Sequence, residues 1–374
     1  MAIRQSTLEN MGITPDFWRK KRVFLTGHTG FKGSWLSLWL QALGANVTGY
    51  ALPPKTEPNL FSLASIDQAV TSVFGDIRNL NFLKETITKA KPDIIFHLAA
   101  QPLVRYSYQH PVETYETNVM GTVNILEALR MSDSAKVLIN ITTDKCYENK
   151  EWHWGYREID PMGGHDPYSN SKGCAELVTS AYRNSYFNAM DEENFQKGIA
   201  SVRAGNIIGG GDWSDDRLIP DMMKAFMKGK KPLIRFPNAI RPWQHVLEPL
   251  FGYLLLAEKI FFAPKQYAEA WNFGPHDKEC QPVSSVANQV CEVWGDNAAW
   301  EQSTEQHAHE ASFLKLDIAK AQSRLHWHPR FTLQEAIDAT VSWYKSWQRG
   351  DHMRDVTLAQ IERYNHFKTE QHYA

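Results

Sequence analysis

Short runs of consecutive apolar residues alternate along the first half of the chain with stretches in which apolar residues recur every three or four positions. Val23-Phe24-Leu25-Thr26 reads as a buried strand, Gly27 to Gly33 as a turn, Ser34 to Leu43 as a helix ended by Gly44, and Asn46 to Tyr50 as a second strand. The unit repeats with a strand at Val70 to Phe74, a helix at Leu80 to Ala90 and a strand at Asp93 to Leu98. It continues through a long helix near Val112 to Arg130, a strand at Lys136 to Ile141, a helix beginning near Tyr168 and a strand at Gly198 to Arg203. Six strands alternating with helices predict an α/β fold, a doubly wound parallel sheet with helices on both faces.

After Asn206 the pattern changes. Gly209, Gly210, Gly211, Pro220, Pro232, Pro237 and Pro242 punctuate short elements such as the helix Pro220 to Met227, which predicts a second, smaller C-terminal lobe. The division is 1–20 as an N-terminal extension, 21–205 as the nucleotide-binding domain, and 206–242 with 274–374 as the smaller lobe. Segments within 243–273, around Val246 to Ile260 and Ala270 to Phe273, are expected to return to the large sheet. In the extension Pro15 is a plausible helix opener, with Phe17 and Trp18 available to dock on the body.

Composition narrows the function classes. At 374 residues with 43% hydrophobic and 22% charged types, the chain can bury a sizeable core without disulfide or metal staples, so a disordered reading drops out. Forty Lys and Arg against 42 Asp and Glu leave a formal charge of -2, which gives no field for nucleic acid. Cys146, Cys174, Cys280 and Cys291 are scattered without a pairing pattern, which fits a reducing compartment such as the cytoplasm. The strongest late apolar run, Leu250 to Ala263, is broken by Glu258 and Lys259, so neither membrane spanning nor export is expected.

Gly27, Gly30 and Gly33 lie three residues apart between a strand and a helix. There glycine permits a tight turn and close backbone approach to a pyrophosphate at the helix N-terminus, and Thr29, Phe31 and Lys32 fill the same loop. The placement makes this a Rossmann-like dinucleotide site, and the missing Gly-Lys-Ser/Thr ending argues against a P-loop. The expected ribose carboxylate after the second strand is absent, the nearest acid being Glu57. Arg22, Lys32 and Lys55 suit a ribose phosphate or plain surface charge, which leaves NAD and NADP open. Asp76 and Ile77 border an adenine or contribute to a helix N-cap.

Tyr168 and Lys172 stand four residues apart on one helical face, where a lysine cation lowers the cost of forming a phenolate. The phenol then takes a hydroxyl proton as hydride leaves the carbon. Thr143 follows the strand Lys136 to Ile141, and Asp144 and Lys145 add an acid and a possible base that simple hydride transfer does not require. His307, His309, His326 and His328 do not complete a metal site, and none is expected.

The glycine loop, His97-Leu98-Ala99-Ala100-Gln101, Asn118, Thr142 to Lys145 and the Tyr168/Lys172 pair together resemble the extended short-chain dehydrogenase/reductase family. Within it, Thr143 to Tyr147, Gly205 to Trp213 and Arg241 to Val246 resemble the sugar-nucleotide 4,6-dehydratases acting on CDP-glucose, over roughly Lys21 to Arg330. The resemblance implies bound NAD, oxidation at carbon 4 of the glucose, loss of water across carbons 5 and 6, and hydride return to carbon 6. It implies Thr143, Tyr168 and Lys172 as the redox group and Asp144 as the acid at carbon 6. Lys145 stands where many relatives carry glutamate, either as a neutral base at carbon 5 or as a cation stabilising the enolate. Leu98, Ala99, Ala100, Gln101 and Asn118 are implied around the cofactor. Arg105, Ser107, Thr143, Asn206, Arg217, Arg235, Arg241 and His245 are candidates around the sugar nucleotide, with Arg241 preferred for the diphosphate. Apolar faces on Val112 to Arg130 and Lys172 to Met190 suit a four-helix homodimer interface or burial on the sheet. A sugar-nucleotide epimerase or oxidoreductase is the alternative activity, and a nucleotide-responsive binding protein the alternative without turnover.

Overall fold

The computed structural model of the protein describes residues 12–187, 197–305 and 312–367. Seven parallel strands form the main sheet: β1 (Arg22–Thr26), β2 (Asn46–Ala51), β3 (Thr71–Phe74), β4 (Ile94–His97), β5 (Val137–Ile141), β6 (Gly198–Ala204) and β7 (Ala270–Phe273). Their order across the sheet is β7-β6-β5-β4-β1-β2-β3. β4 and β5 are buried at every position, as strands covered on both faces must be. Helices α1 (Phe31–Ala42), α2 (Leu80–Ala90), α3 (Gly121–Arg130), α4 (Pro167–Tyr186) and α5 (Leu247–Phe262) provide that cover. The order reverses between β1 and β4, so a crevice opens beyond the carboxyl ends of those two strands.

The two faces of the sheet carry separate apolar clusters. Phe24, Ile95, Leu83, Ile125 and Leu138 meet on one face, and Leu25, Trp35, Trp39, Phe96, Ile139 and Leu250 on the other. β7 arrives after the chain has left the sheet, pairing Trp271 with Val202 and Phe273 with Ala204. The helix expected over Val112 to Arg130 is three pieces, Pro111–Tyr115, a π turn at Glu116–Met120, and α3. Asn118 sits in that π turn, fully engaged in buried hydrogen bonds. Pro15–Trp18 is a short helix, and Trp18 is buried with its indole Nε1 donating to Glu258 at 2.6 Å.

Outside the sheet, short paired strands join distant segments: Ile207–Ile208 with Gln244–His245, Ile240–Pro242 with Cys280–Pro282, and Leu233–Ile234 with Glu301–Gln302. Helices Val283–Trp294, Leu333–Arg349 and Met353–His366 complete this part. Among the described residues no helix is long and apolar enough to cross a membrane.

Candidate active site

The nucleotide end of the crevice is made mainly of backbone. Gly27 follows β1 with φ +78°, and a Cβ on it would stand 2.8 Å from the Ala99 amide nitrogen at the end of β4. A Cβ on Gly33 would stand 2.0 Å from the Gly27 carbonyl oxygen. Only glycine lets the loop fold this tightly on the first turn of α1. A cavity of about 290 Å³ opens over the loop, lined also by Thr29, Phe31, Lys32, Asp76, Ile77 and Leu98 to Gln101. Free amides at a helix N-terminus, a loop that a side chain would block and an adjoining cavity of this size fit a dinucleotide.

Other candidates for this end are placed less simply. Asp76 lines the cavity but is already paired to Arg78 at 2.6 Å, which holds its carboxyl below the usual range. Arg22 is paired to Asp93 at 2.9 Å, at the opposite end of β1, and is removed from any ribose role. Lys32 lies between the two cavities, where burial, then the charges of Lys172 and Arg217, push its ammonium down to about 7. Lys55 remains on the cavity wall. Asn118 does not line either cavity. Its amide accepts from the Gln101 backbone nitrogen at 2.8 Å and donates to Ser171, so it positions the Gln101 backbone rather than touching a ligand.

The chemical centre gathers where β5 and β6 end. Thr143 caps a short turn, its hydroxyl donating to Asp144 Oδ1 at 3.0 Å. Asp144 is buried, its other oxygen has no hydrogen-bond partner, and burial pushes its carboxyl up. Gly205 makes room for it, since a Cβ there would stand 2.9 Å from Asp144 Oδ2 and 2.3 Å from Pro242. Lys145 lines the same cavity.

Helix α4 brings in the phenol and the amine. Asp166 caps it by accepting from the Ser169 amide at 2.9 Å, and Pro167 occupies its first turn. Burial pushes the Tyr168 phenol up to about 12, while a hydrogen bond with Thr143 and the charge of Arg217 pull the other way. Lys172 Nζ donates to the Ile141 carbonyl at 3.1 Å, and burial pushes its ammonium down to about 8. One turn further on, Glu176 is buried against Arg203 at 2.8 Å and accepts from Thr142 and Ser201. This fixes α4 against the ends of β5 and β6.

A second cavity, of about 300 Å³, extends from this centre into the smaller lobe. Seven lysine and arginine side chains line it against four aspartates, and Arg105, Asn206, Arg217, Arg235 and Arg241 are all present. Ser107 and His245 are corrections. Ser107 is fully buried, its hydroxyl donating to Val104 and accepting from the Tyr168 amide at 3.1 Å, so it anchors α4 and does not line the cavity. His245 is fully buried between the rings of Trp35 and Phe331, with Nδ1 accepting from the Leu247 amide, and is a core residue.

Sequence reasoning missed Gly205 as the cradle of Asp144, Glu176 as the anchor of α4, and Asp216 on the cavity wall. Only Glu176 left a local signal, being four residues beyond Lys172 on the same helical face. His307, His309 and the end of the helix expected to Met190 lie outside the described residues. Among the described residues no three His, Cys, Asp or Glu side chains are grouped to hold a metal.

Known proteins resemble this chain in sequence and in fold. The chain is 53% identical over 352 residues to CDP-glucose 4,6-dehydratase of Salmonella typhimurium, covering 94% of this chain and 98% of that one. It is 24% identical to dTDP-glucose 4,6-dehydratase of Xanthomonas campestris pv. campestris, covering 87% and 94%. Among solved structures, the fold matches dTDP-glucose 4,6-dehydratase from Bacillus anthracis in complex with NAD, at TM-score 0.71, 22% identity and coverage of 89% and 99%. It also matches UDP-glucose 4-epimerase from Thermotoga maritima with UDP-glucose, at TM-score 0.76, 19% identity and coverage of 87% and 99%. The family described as GDP-mannose 4,6 dehydratase matches residues 24–340, so a seven-stranded dinucleotide sheet with Tyr168, Lys172, Thr143 and Asp144 gathered at its crevice identifies this chain as a member of that family.

Proposed function

We propose that the chain is a CDP-glucose 4,6-dehydratase, forming CDP-4-dehydro-6-deoxy-glucose and water. The observation that carries this is the union, in one cationic cavity, of a redox phenol with a buried carboxyl that burial biases toward its neutral form. An oxidoreductase or epimerase needs the first group and has no use for an acid beside it; the 53% identity to the Salmonella enzyme supports the same reading. The surplus of cationic side chains suits a diphosphate, and we assign Arg241, buried in the cavity wall, to it.

The glycine loop and the backbone of Leu98 to Gln101 would hold NAD, which when bound would supply the hydride acceptor for oxidation at carbon 4 and the hydride donor for reduction at carbon 6. We assign removal of the carbon 4 hydroxyl proton to Tyr168, with Thr143 and Lys172 beside it in the cavity and the charge of Arg217 favouring its ionised form. Once carbon 4 is a ketone the proton on carbon 5 is acidic, and we assign its removal to Lys145. Asp144, whose carboxyl burial pushes up, is assigned to donate a proton to the carbon 6 hydroxyl as it leaves as water.

Residues 206–242 and 274–374 are, on this reading, the substrate-binding lobe, and the protein works in the cytoplasm. Val112, Met120 and Leu177 stand exposed on the outer faces of Pro111–Tyr115, the π turn and α4, which supports a homodimer built on these helices.

The test is incubation of purified protein with CDP-glucose and chromatographic identification of the product. A 4-keto-6-deoxy product without net cofactor consumption is expected. A product that keeps its carbon 6 hydroxyl defeats the dehydratase reading, and unchanged turnover in Lys145→Met removes that lysine from the proton transfer.

A further inference from the structure

Asp216 lies on the wall of the substrate cavity with its backbone in the left-handed region, φ +60°. One carboxylate oxygen, Oδ1, accepts from Arg105 Nη1 at 2.7 Å and from Arg235 Nη1 at 3.1 Å. Its backbone carbonyl accepts from Arg235 Nη2 at 3.3 Å. Arg105 comes from the short helix Val104–Gln109 that follows β4, whereas Arg235 follows the strand Leu233–Ile234 of the smaller lobe. A single anionic oxygen therefore joins guanidinium groups delivered by two separate parts of the fold, and all three residues line one cavity.

We propose that Asp216 is a displaceable internal anion that occupies Arg105 and Arg235 until the diphosphate of the substrate takes them over. The inference rests on the reading above that the substrate carries a diphosphate. A guanidinium fork accepts carboxylate and phosphate oxygens with the same geometry, so one can replace the other without rebuilding the wall. The exchange is feasible because the side chains are partly in water, with 54% of Arg105, 36% of Asp216 and 22% of Arg235 exposed. Asp216 keeps two like charges close together before substrate arrives, and it lowers apparent affinity by the fraction of time the arginines are occupied.

Asp216→Asn keeps the size and the acceptor oxygen and removes the charge; Asp216→Ser is a second variant should the amide perturb the turn. Calorimetric titration with inorganic pyrophosphate, CDP and UDP is run beside steady-state kinetics with CDP-glucose, at low and high salt. Binding of all three ligands is expected to tighten by roughly three- to tenfold at low salt, with KM for CDP-glucose falling in parallel and the gain shrinking at high salt. Weaker binding by both variants would mean that Asp216 orients the arginines for substrate, and unchanged binding that the pair is inert; either overturns the proposal. Pyrophosphate separates this inference from the substrate reading. If the parent protein leaves CDP-glucose untouched while Asp216→Asn still gains affinity for pyrophosphate and CDP, the substrate reading falls and the displaceable anion stands.

Discussion

The two cavities that meet at Phe31, Lys32 and Arg217 are built in opposite ways. The nucleotide side takes its shape largely from the backbone of one turn, Gly27 to Gly33, pressed against the ends of neighbouring strands. The chemical side takes its shape from side chains on β5, β6, α4 and the smaller lobe, which converge only when the sheet is complete. A backbone site tolerates no added atom, whereas a side-chain site tolerates substitution but loses a particular proton or charge. The two sides should therefore fail differently.

The largest separation is expected from Tyr168→Phe, which removes one oxygen. Product formation from CDP-glucose should fall about thousandfold while CDP affinity changes little, measured by chromatography and calorimetry. Collapse of both together would show that the phenol supports the wall rather than the chemistry. On the other side, Gly33→Ala adds one carbon 2.0 Å from the Gly27 carbonyl and should weaken NAD binding at least about hundredfold, with CDP binding spared. Retained cofactor in this variant would contradict the backbone account of that cavity.

Asp144→Asn should lower turnover about hundredfold. Because burial raises the Asp144 pKa and the acid form is the useful one, parent activity should be lost as pH rises through that pKa, and the variant should lack this limb. The smallest effect concerns stability. His97 and His245 are buried and pushed from 6.5 down to about 3, so between those values the unfolded chain binds more protons than the folded one. The share of stability that these two histidines contribute is fully present above about pH 6.5 and declines as pH falls, by up to about 1.4 kcal/mol per pH unit for each, while Glu248, pushed up to about 7 by burial, acts with the opposite sign. Thermal midpoints of the parent and of His97→Asn, compared between pH 7 and pH 5, measure this share: the variant should lose less stability, or gain more, than the parent as pH falls.

The same contrast explains what could be read in advance. Helix Leu80–Ala90 and strand Ala270–Phe273 were legible to the residue, because periodicity and end signals are local. The glycine loop was legible for the same reason. Ser107 and His245 looked like ligands because polar side chains in loops near a crevice usually face it; here a helix start and an aromatic cluster claimed them. The π turn at Asn118 depends on Gln101 and Ser171, 17 and 53 residues away, and no local pattern announces it. Gly205 and Asp216 acquire meaning only beside Asp144 and Arg105, which topology alone brings near.

The late entry of β7 also constrains how the molecule is made. During synthesis β6 emerges with one edge bare, and everything from Gly205 to Glu269 must leave the ribosome before Ala270–Phe273 can cover it. A nascent chain stalled in that interval carries the backbone of Ser201 to Ala204 unpaired, an edge open to pairing with a second chain until β7 arrives.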